Sequence, residues 1–185
     1  TQSRSSAASD VYKRQTSKYL ITSGDSTAIY KGDLVKLEST GYITASGNGD
    51  AVVAIGVFNG CFYNDPTTQK PTWKNYYPGS ITPTVGKIEA FVYDDPNKLF
   101  LIQGNGIIAQ SSVGRNADIV YAAGSTINGQ SKTEMNSTTA SAGATAQLRI
   151  IRISEDPSNS DIAATDANWV VRINEHQYYA DVIGV

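Results

Sequence analysis

The stretch KGDLVKLESTGYITASGNGDAVVAIGVFNGCFY, residues 31–63, decides the fold class. Val35 and Leu37 alternate with Leu34, Lys36 and Glu38, so one face is apolar and the other mostly charged. That period-2 pattern marks a half-buried strand. Ser39-Thr40-Gly41 turns the chain into GYITAS (41–46). Gly47-Asn48-Gly49-Asp50 is a concentrated turn signal, because Gly and Asn accept backbone angles that other residues avoid. AVVAIGVFNGCFY (51–63) then reads as a long apolar strand. Gly56 and Gly60 inside it predict a bulge or a tight bend, as a closing barrel needs.

The pattern continues on both sides. YLITSG (19–24) and AIYKGDLVKLES (28–39) come first. KIEAFVY (87–93) and KLFLIQG (98–104) flank Asp94-Asp95-Pro96-Asn97 and predict a hairpin with a four-residue loop. Short strands are expected within 107–113 and 117–123, around Gly114-Arg115-Asn116. LRIIRIS (148–154) is a strand, and WVVRINEHQYY (169–179) is the last long one, with Trp169, Val171 and Ile173 on one face. Residues 64–86 hold four of the six prolines and read as a long irregular loop, a feature more often functional than accidental. Residues 124–146, rich in Ser, Thr, Gly and Ala, read as a flexible loop, and 156–168 as a connection.

Composition agrees. Seventeen Ile and thirteen Val stand against six Leu in a chain of 185 residues, with eleven Tyr. β-branched side chains lose rotamer freedom in a helix and pack well on a pleated sheet. The expected fold is therefore all-β, a compact domain with long loops and little helix. The net charge of −2 carries no basic footprint for nucleic acid. No apolar run approaches the ~18 residues that span a bilayer. With one cysteine, Cys61, the chain cannot form an intrachain disulfide or a Cys-based zinc cluster.

Residues 1–15, TQSRSSAASDVYKRQ, show no alternation and few apolar side chains, and read as a disordered arm without the apolar core of a secretory signal. The string SRSSAASDVYKRQ also resembles translated sequencing-adapter read-through; the alternative is a genuine arm that orders on a partner. The expected division is 1–17 as arm or sequence artefact and 18–185 as a single β domain. Arg4, Lys13 and Arg14 against Asp10 put two net positive charges in the first fifteen residues, so the rest of the chain stands at −4.

Few residues can carry chemistry. Gly104-Asn105-Gly106-Ile107-Ile108-Ala109 matches a dinucleotide fingerprint, but that site needs a following helix to meet the pyrophosphate, and a β-branched, turn-flanked segment follows instead. His176 sits on an expected strand, where the adjacent Glu175 points to the opposite face. Cys61 lies in an apolar strand and reads as a small hydrophobe. Asp94, Asp95 and Asn97 have calcium-ligand chemistry, yet their loop is too short for the twelve-residue calcium loop and suits a turn. No catalytic, cofactor-binding or metal-binding residue is assigned. The binding candidates are Trp73, Tyr76 and Tyr77, large amphipathic aromatics in a polar loop. Their alternative role is to fold back and plug the end of the barrel.

Residues 29–60 share a plan with a known family: a Gly-Asp turn at Gly32-Asp33, a Gly-led strand pair at Gly41, and an Ile-Gly-Val strand at 55–57. This resembles the opening of small phage head-decoration proteins. FNGCFYNDPTTQKPTWKNYYPG, FVYDDPNKLFLIQGNG and LRIIRISEDPSNS look like virion structural proteins of marine tailed phages. The resemblance implies a β-barrel or β-tulip domain on the outside of a capsid, no catalytic residues, and no cofactor. It also implies the major capsid protein as partner, a homotrimer free or on the shell, and assembly in the host cytoplasm. Neither nucleic acid nor membrane is an expected partner. The rival readings are a head-fibre, tail or carbohydrate-binding module working through the 64–86 aromatics, and an enzyme with paired carboxylates.

Overall fold

The computed structural model describes residues 16–48, 54–140 and 146–179. The expected arm at 1–15, half of the turn at 47–50 and residues 141–145 of the Ser/Thr/Ala stretch lie outside the described residues. Six antiparallel strands form the larger sheet: β1 (Ser17–Ile21), β2 (Leu34–Leu37), β3 (Ile43–Ala45), β4 (Gly56–Asn64), β5 (Pro71–Lys74) and β6 (Ile88–Tyr93). Their order is β1–β6–β4–β2–β3, with β5 added to β4. β7 (Phe100–Gln103), β8 (Asn116–Ala117), β11 (Leu148–Ile153) and β12 (Asn168–Ile173) form a second sheet, ordered β7–β12–β11–β8. β9 (Ile119–Val120) and β10 (Glu134–Met135) make a short ribbon. Among the described residues the only helices are two single 3₁₀ turns, Gln110–Ser112 and Ser137–Thr139. No helix there is long and apolar enough to cross a membrane.

Alternation along the strands builds two cores. In β6, Ile88, Ala90 and Val92 point inward while Glu89, Phe91 and Tyr93 face out. The inward set packs with Ile21, Val35, Phe58 and Tyr63. The second core gathers Leu148, Ile150, Trp169, Val171, Ile119 and Met135. The starts of β2 and β4 separate the two. Leu34 and Ala54 belong to the second core, and their neighbours Val35 and Ile55 to the first. Val57 and Phe58 divide the same way. A strand buried on both faces reads as an unbroken apolar run, which is why AIGVF (54–58) shows no alternation.

All-β content with little helix is present, but the expected barrel is not. β1 and β3 end one sheet and β7 and β8 end the other, and no ladder joins those edges. The expected bulge does occur, as a register shift between Phe58 and Gly60, and another lies between Ile150 and Arg152. These bulges curl separate sheets instead of closing one, because the chain leaves the first sheet after β6 to build the second.

That departure also overturns the hairpin at 87–104. β6 pairs with β1 and β4, and β7 pairs with β12 in the other sheet. The Asp94 carboxylate accepts hydrogen bonds from Ser17 Oγ and Tyr19 Oη, both 2.8 Å, which holds the end of β6 to β1. Asp95 Oδ1 accepts from the Asn97 amide, and Lys98 Nζ stands 3.9 Å over the Tyr93 ring. The loop is a crossing between sheets. Elsewhere, β5 forms within the segment read as irregular, after a turn in which Asp65 Oδ1 accepts from the Thr67 and Thr68 amides. Ser17, placed in the arm by sequence, opens β1. Residues 110–112 form a 3₁₀ turn where a strand was expected, and β12 stops at Ile173.

Candidate functional site

The bulge at Gly60 shapes the outer face of the larger sheet. It sets Phe62 opposite Glu89 of β6 and Trp73 of β5. With no side chain at Gly60, the Trp73 indole lies over it; a Cβ there would sit 2.6 Å from Trp73 Cζ2. Covering a strand glycine with a cross-strand aromatic restores the packing the glycine lacks. The indole reaches Phe91, with ring centroids 5.0 Å apart and planes at 57°. Lys18 Nζ stands 5.7 Å from the Phe91 ring and pairs with Glu89 at 3.0 Å. Trp73 remains 50% exposed and Phe62 38%. The result is an aromatic platform on rigid strands, bordered by one cation and one carboxylate. It can anchor an apolar side chain of a partner or stack on a flat apolar ring face.

Of the three aromatics singled out from sequence, only Trp73 belongs to the platform. Tyr77 is fully buried, pairs with Ile29, and donates its hydroxyl to the Asp25 carbonyl at 2.8 Å. Tyr76 is half-buried and stacks on Tyr30, with centroids 5.6 Å apart and planes at 4°. The alternative role, plugging the end of a barrel, has no barrel to act on; Tyr77 is instead buried in the core of the larger sheet. Phe62 and Phe91 escaped the sequence reading. Their signal is Gly60 itself: a bulge resets which residues of β4 face out, and an edge-strand Trp is what covers such a gap.

Cys61, His176 and Asp33, whose side chains could carry chemistry, are all buried. Cys61 is fully buried and donates to the Tyr76 carbonyl at 3.5 Å; burial pushes its thiol up to about 12, away from nucleophilic thiolate. His176 is fully buried beside Tyr178 and Tyr179, and its Nδ1 accepts from the Tyr178 amide at 3.1 Å. Burial lowers its pKa, outweighing the opposing pull of the Asp94 and Asp95 charges and of the Ile55 and Asp94 backbone. Asp33, of the Gly-Asp turn, is a buried hub. Its Oδ2 accepts from the Tyr30 amide at 2.8 Å, and its Oδ1 accepts from the Ser131 and Thr133 hydroxyls. Burial raises its pKa against those three hydrogen bonds. Gly32 before it holds φ +102°, a left-handed geometry that favours glycine.

Gly104-Asn105-Gly106 is a turn whose Asn105 Oδ1 accepts from the Ser137 amide, followed by a single 3₁₀ turn. Among the described residues, no three His, Cys, Asp or Glu side chains gather with metal-binding geometry. No family model, no curated protein and no solved structure matches this chain.

Proposed function

We propose that this chain is a non-enzymatic virion structural protein, a decoration protein that binds the outside of a tailed-phage head and stabilises it. The observation that carries the reading is the platform of Trp73, Phe62 and Phe91, an exposed aromatic surface held on strands. Interface energy concentrates in such anchors. The family resemblance of residues 29–60 supports the same reading. So does the structural employment of Cys61, His176 and Asp33. The proposed partner is the major capsid protein, engaged by a homotrimer so that several weak contacts act together.

The test is co-sedimentation of the full chain with bare capsids from the phage that encodes it. Binding that Trp73→Ala weakens by about 2 kcal/mol, roughly thirtyfold, is the expected result. Absence from the capsid fraction at saturating protein overturns the reading. A second reading, carbohydrate or receptor binding by a fibre or tail module, is favoured by the exposed indole over Gly60, with Lys18 and Glu89 bordering the same aromatic platform. A glycan array separates the two: specific glycan binding without capsid binding selects the second.

A further inference from the structure

A cleft of about 500 Å³ opens on the side of the molecule where β7 ends its sheet. Phe100–Gln103 form one wall and residues 130–134 the other. Leu34, Val57, Leu148 and Val171 supply apolar lining between them. Lys31, Lys132 and Glu134 supply its charges, a net positive spot on a chain of net charge −2. The walls converge at one end, where Gly104 and Met135 form a parallel bridge and the Asn105 amide donates to the Met135 carbonyl at 3.0 Å.

The register of β7 fixes which backbone groups face the cleft. The Gly104 amide donates to Ala167 in the antiparallel ladder with β12. Alternation along that ladder makes Ile102–Trp169 and Phe100–Val171 the hydrogen-bonded pairs. The amides of Leu101 and Gln103 and the carbonyl of Leu101 therefore point away from β12, along the open edge. The edge runs four residues, roughly 14 Å. Proteins normally blunt such an edge with Lys, Pro or a bulge. FLIQ (100–103) contains neither Lys nor Pro, and Lys98, two residues before it in sequence, lies over Tyr93 instead. Leu99 and Leu101 are at least half exposed beside it.

We propose that this cleft receives an extended segment of a partner protein, added as a strand to the edge of β7. Strand addition draws affinity from main-chain hydrogen bonds and specificity from alternate side chains. Apolar side chains of the incoming strand pack toward Val57 and Val171, and alternating acidic ones meet Lys31 and Lys132. The volume lies within the range of ligand-sized sites, which run from about 300 to 1,000 Å³. The inference is independent of what the aromatic platform binds.

The test uses the full chain and a synthetic heptapeptide, acetyl-Thr-Val-Asp-Val-Asp-Val-Thr-amide, read by calorimetry and by amide exchange. Saturating peptide is expected to slow exchange of the Leu101 and Gln103 amides at least tenfold. A copy N-methylated at alternate amides, with its side chains intact, is expected to bind at least tenfold more weakly. Leu101→Pro removes an outward-facing amide and is expected to abolish binding. Lys31→Glu with Lys132→Glu leaves the backbone edge untouched and is expected to weaken binding tenfold or more. Any of the following overturns the proposal: no peptide binding at millimolar concentration, equal binding of the N-methylated copy, binding without protection at Leu101 and Gln103, or indifference to charge reversal. Binding of octanoate at the cleft with none of the peptide also overturns it, marking a small-anion pocket.

Discussion

His176 shows how a residue that looks reactive in a sequence becomes structural. The chain bends after β12 and lays the imidazole fully inside, where the residue pairs with Ala54. Burial disfavours the charged ring and lowers its pKa below the ordinary value of 6.5. A folded-state pKa below the unfolded one means that unfolding takes up a proton. Stability is then full above pH 6.5 and declines as pH falls from there through the lowered folded value. His176→Asn keeps an acceptor for the Tyr178 amide and removes the titration. Denaturant unfolding of both proteins from pH 7.5 to 5 checks this: the wild type should lose stability relative to the variant as pH falls, with a slope of at most one proton. Parallel profiles would show that the ring takes up its proton equally in the folded and unfolded chain and would overturn the lowered value. The burial of His176 was not legible, because NEHQYY is polar on both sides and only the bend after Ile173 carries the ring inward.

At the level of strands, Gly60 was legible and the partner of β7 was not. A glycine in a long apolar strand points to a bulge because the missing side chain removes the packing that keeps a ladder regular. Alternation in KIEAFVY and KLFLIQG reports which face of each strand is buried, but not which strand lies alongside. Two adjacent strands with polar residues between them look the same whether they fold back on each other or cross between sheets. Asp94 decides it, by accepting from Ser17 and Tyr19 of β1, and those contacts are 77 and 75 residues distant in sequence. The same limit applies to the aromatics: Trp73 and Tyr77 share a loop composition, and only the register of β5 and the Ile29–Tyr77 bridge separate surface from core. Gly60→Val tests the platform as an element. The new side chain occupies the space under the indole, so Trp73 must lift off and Phe91 loses its cover. The expected cost is about 1–3 kcal/mol, as for other insertions into packed sites. A red shift of the Trp73 emission in a Trp169→Phe background should accompany it. Unchanged emission would mean that the indole does not rest on Gly60.

Across the whole molecule, the two cores are built back to back on the starts of β2 and β4. Neighbouring residues there serve opposite sides: Leu34 and Val57 serve the core of the smaller sheet, Val35 and Phe58 that of the larger. Neither core can lose its packing without exposing one face of those shared strands. Asp33 adds a polar tie at the same place, gripping Ser131 and Thr133 from the segment that leads into β10. Two hydrophobic clusters sharing a wall should therefore unfold as one unit, although each alone resembles the core of a small domain. Ile88→Ala opens a cavity in the first core and Ile150→Ala in the second, both at positions at most 1% exposed. Each should cost about 2–5 kcal/mol. For a chain of this size each kcal/mol lowers the midpoint by about 2–4 °C. Scanning calorimetry should show one peak in both variants, with calorimetric and van't Hoff enthalpies equal. If Ile150→Ala instead splits the peak and leaves one component at the wild-type midpoint, the smaller sheet unfolds alone. The β2–β4 wall would then be a contact between two independent units and not their common structure.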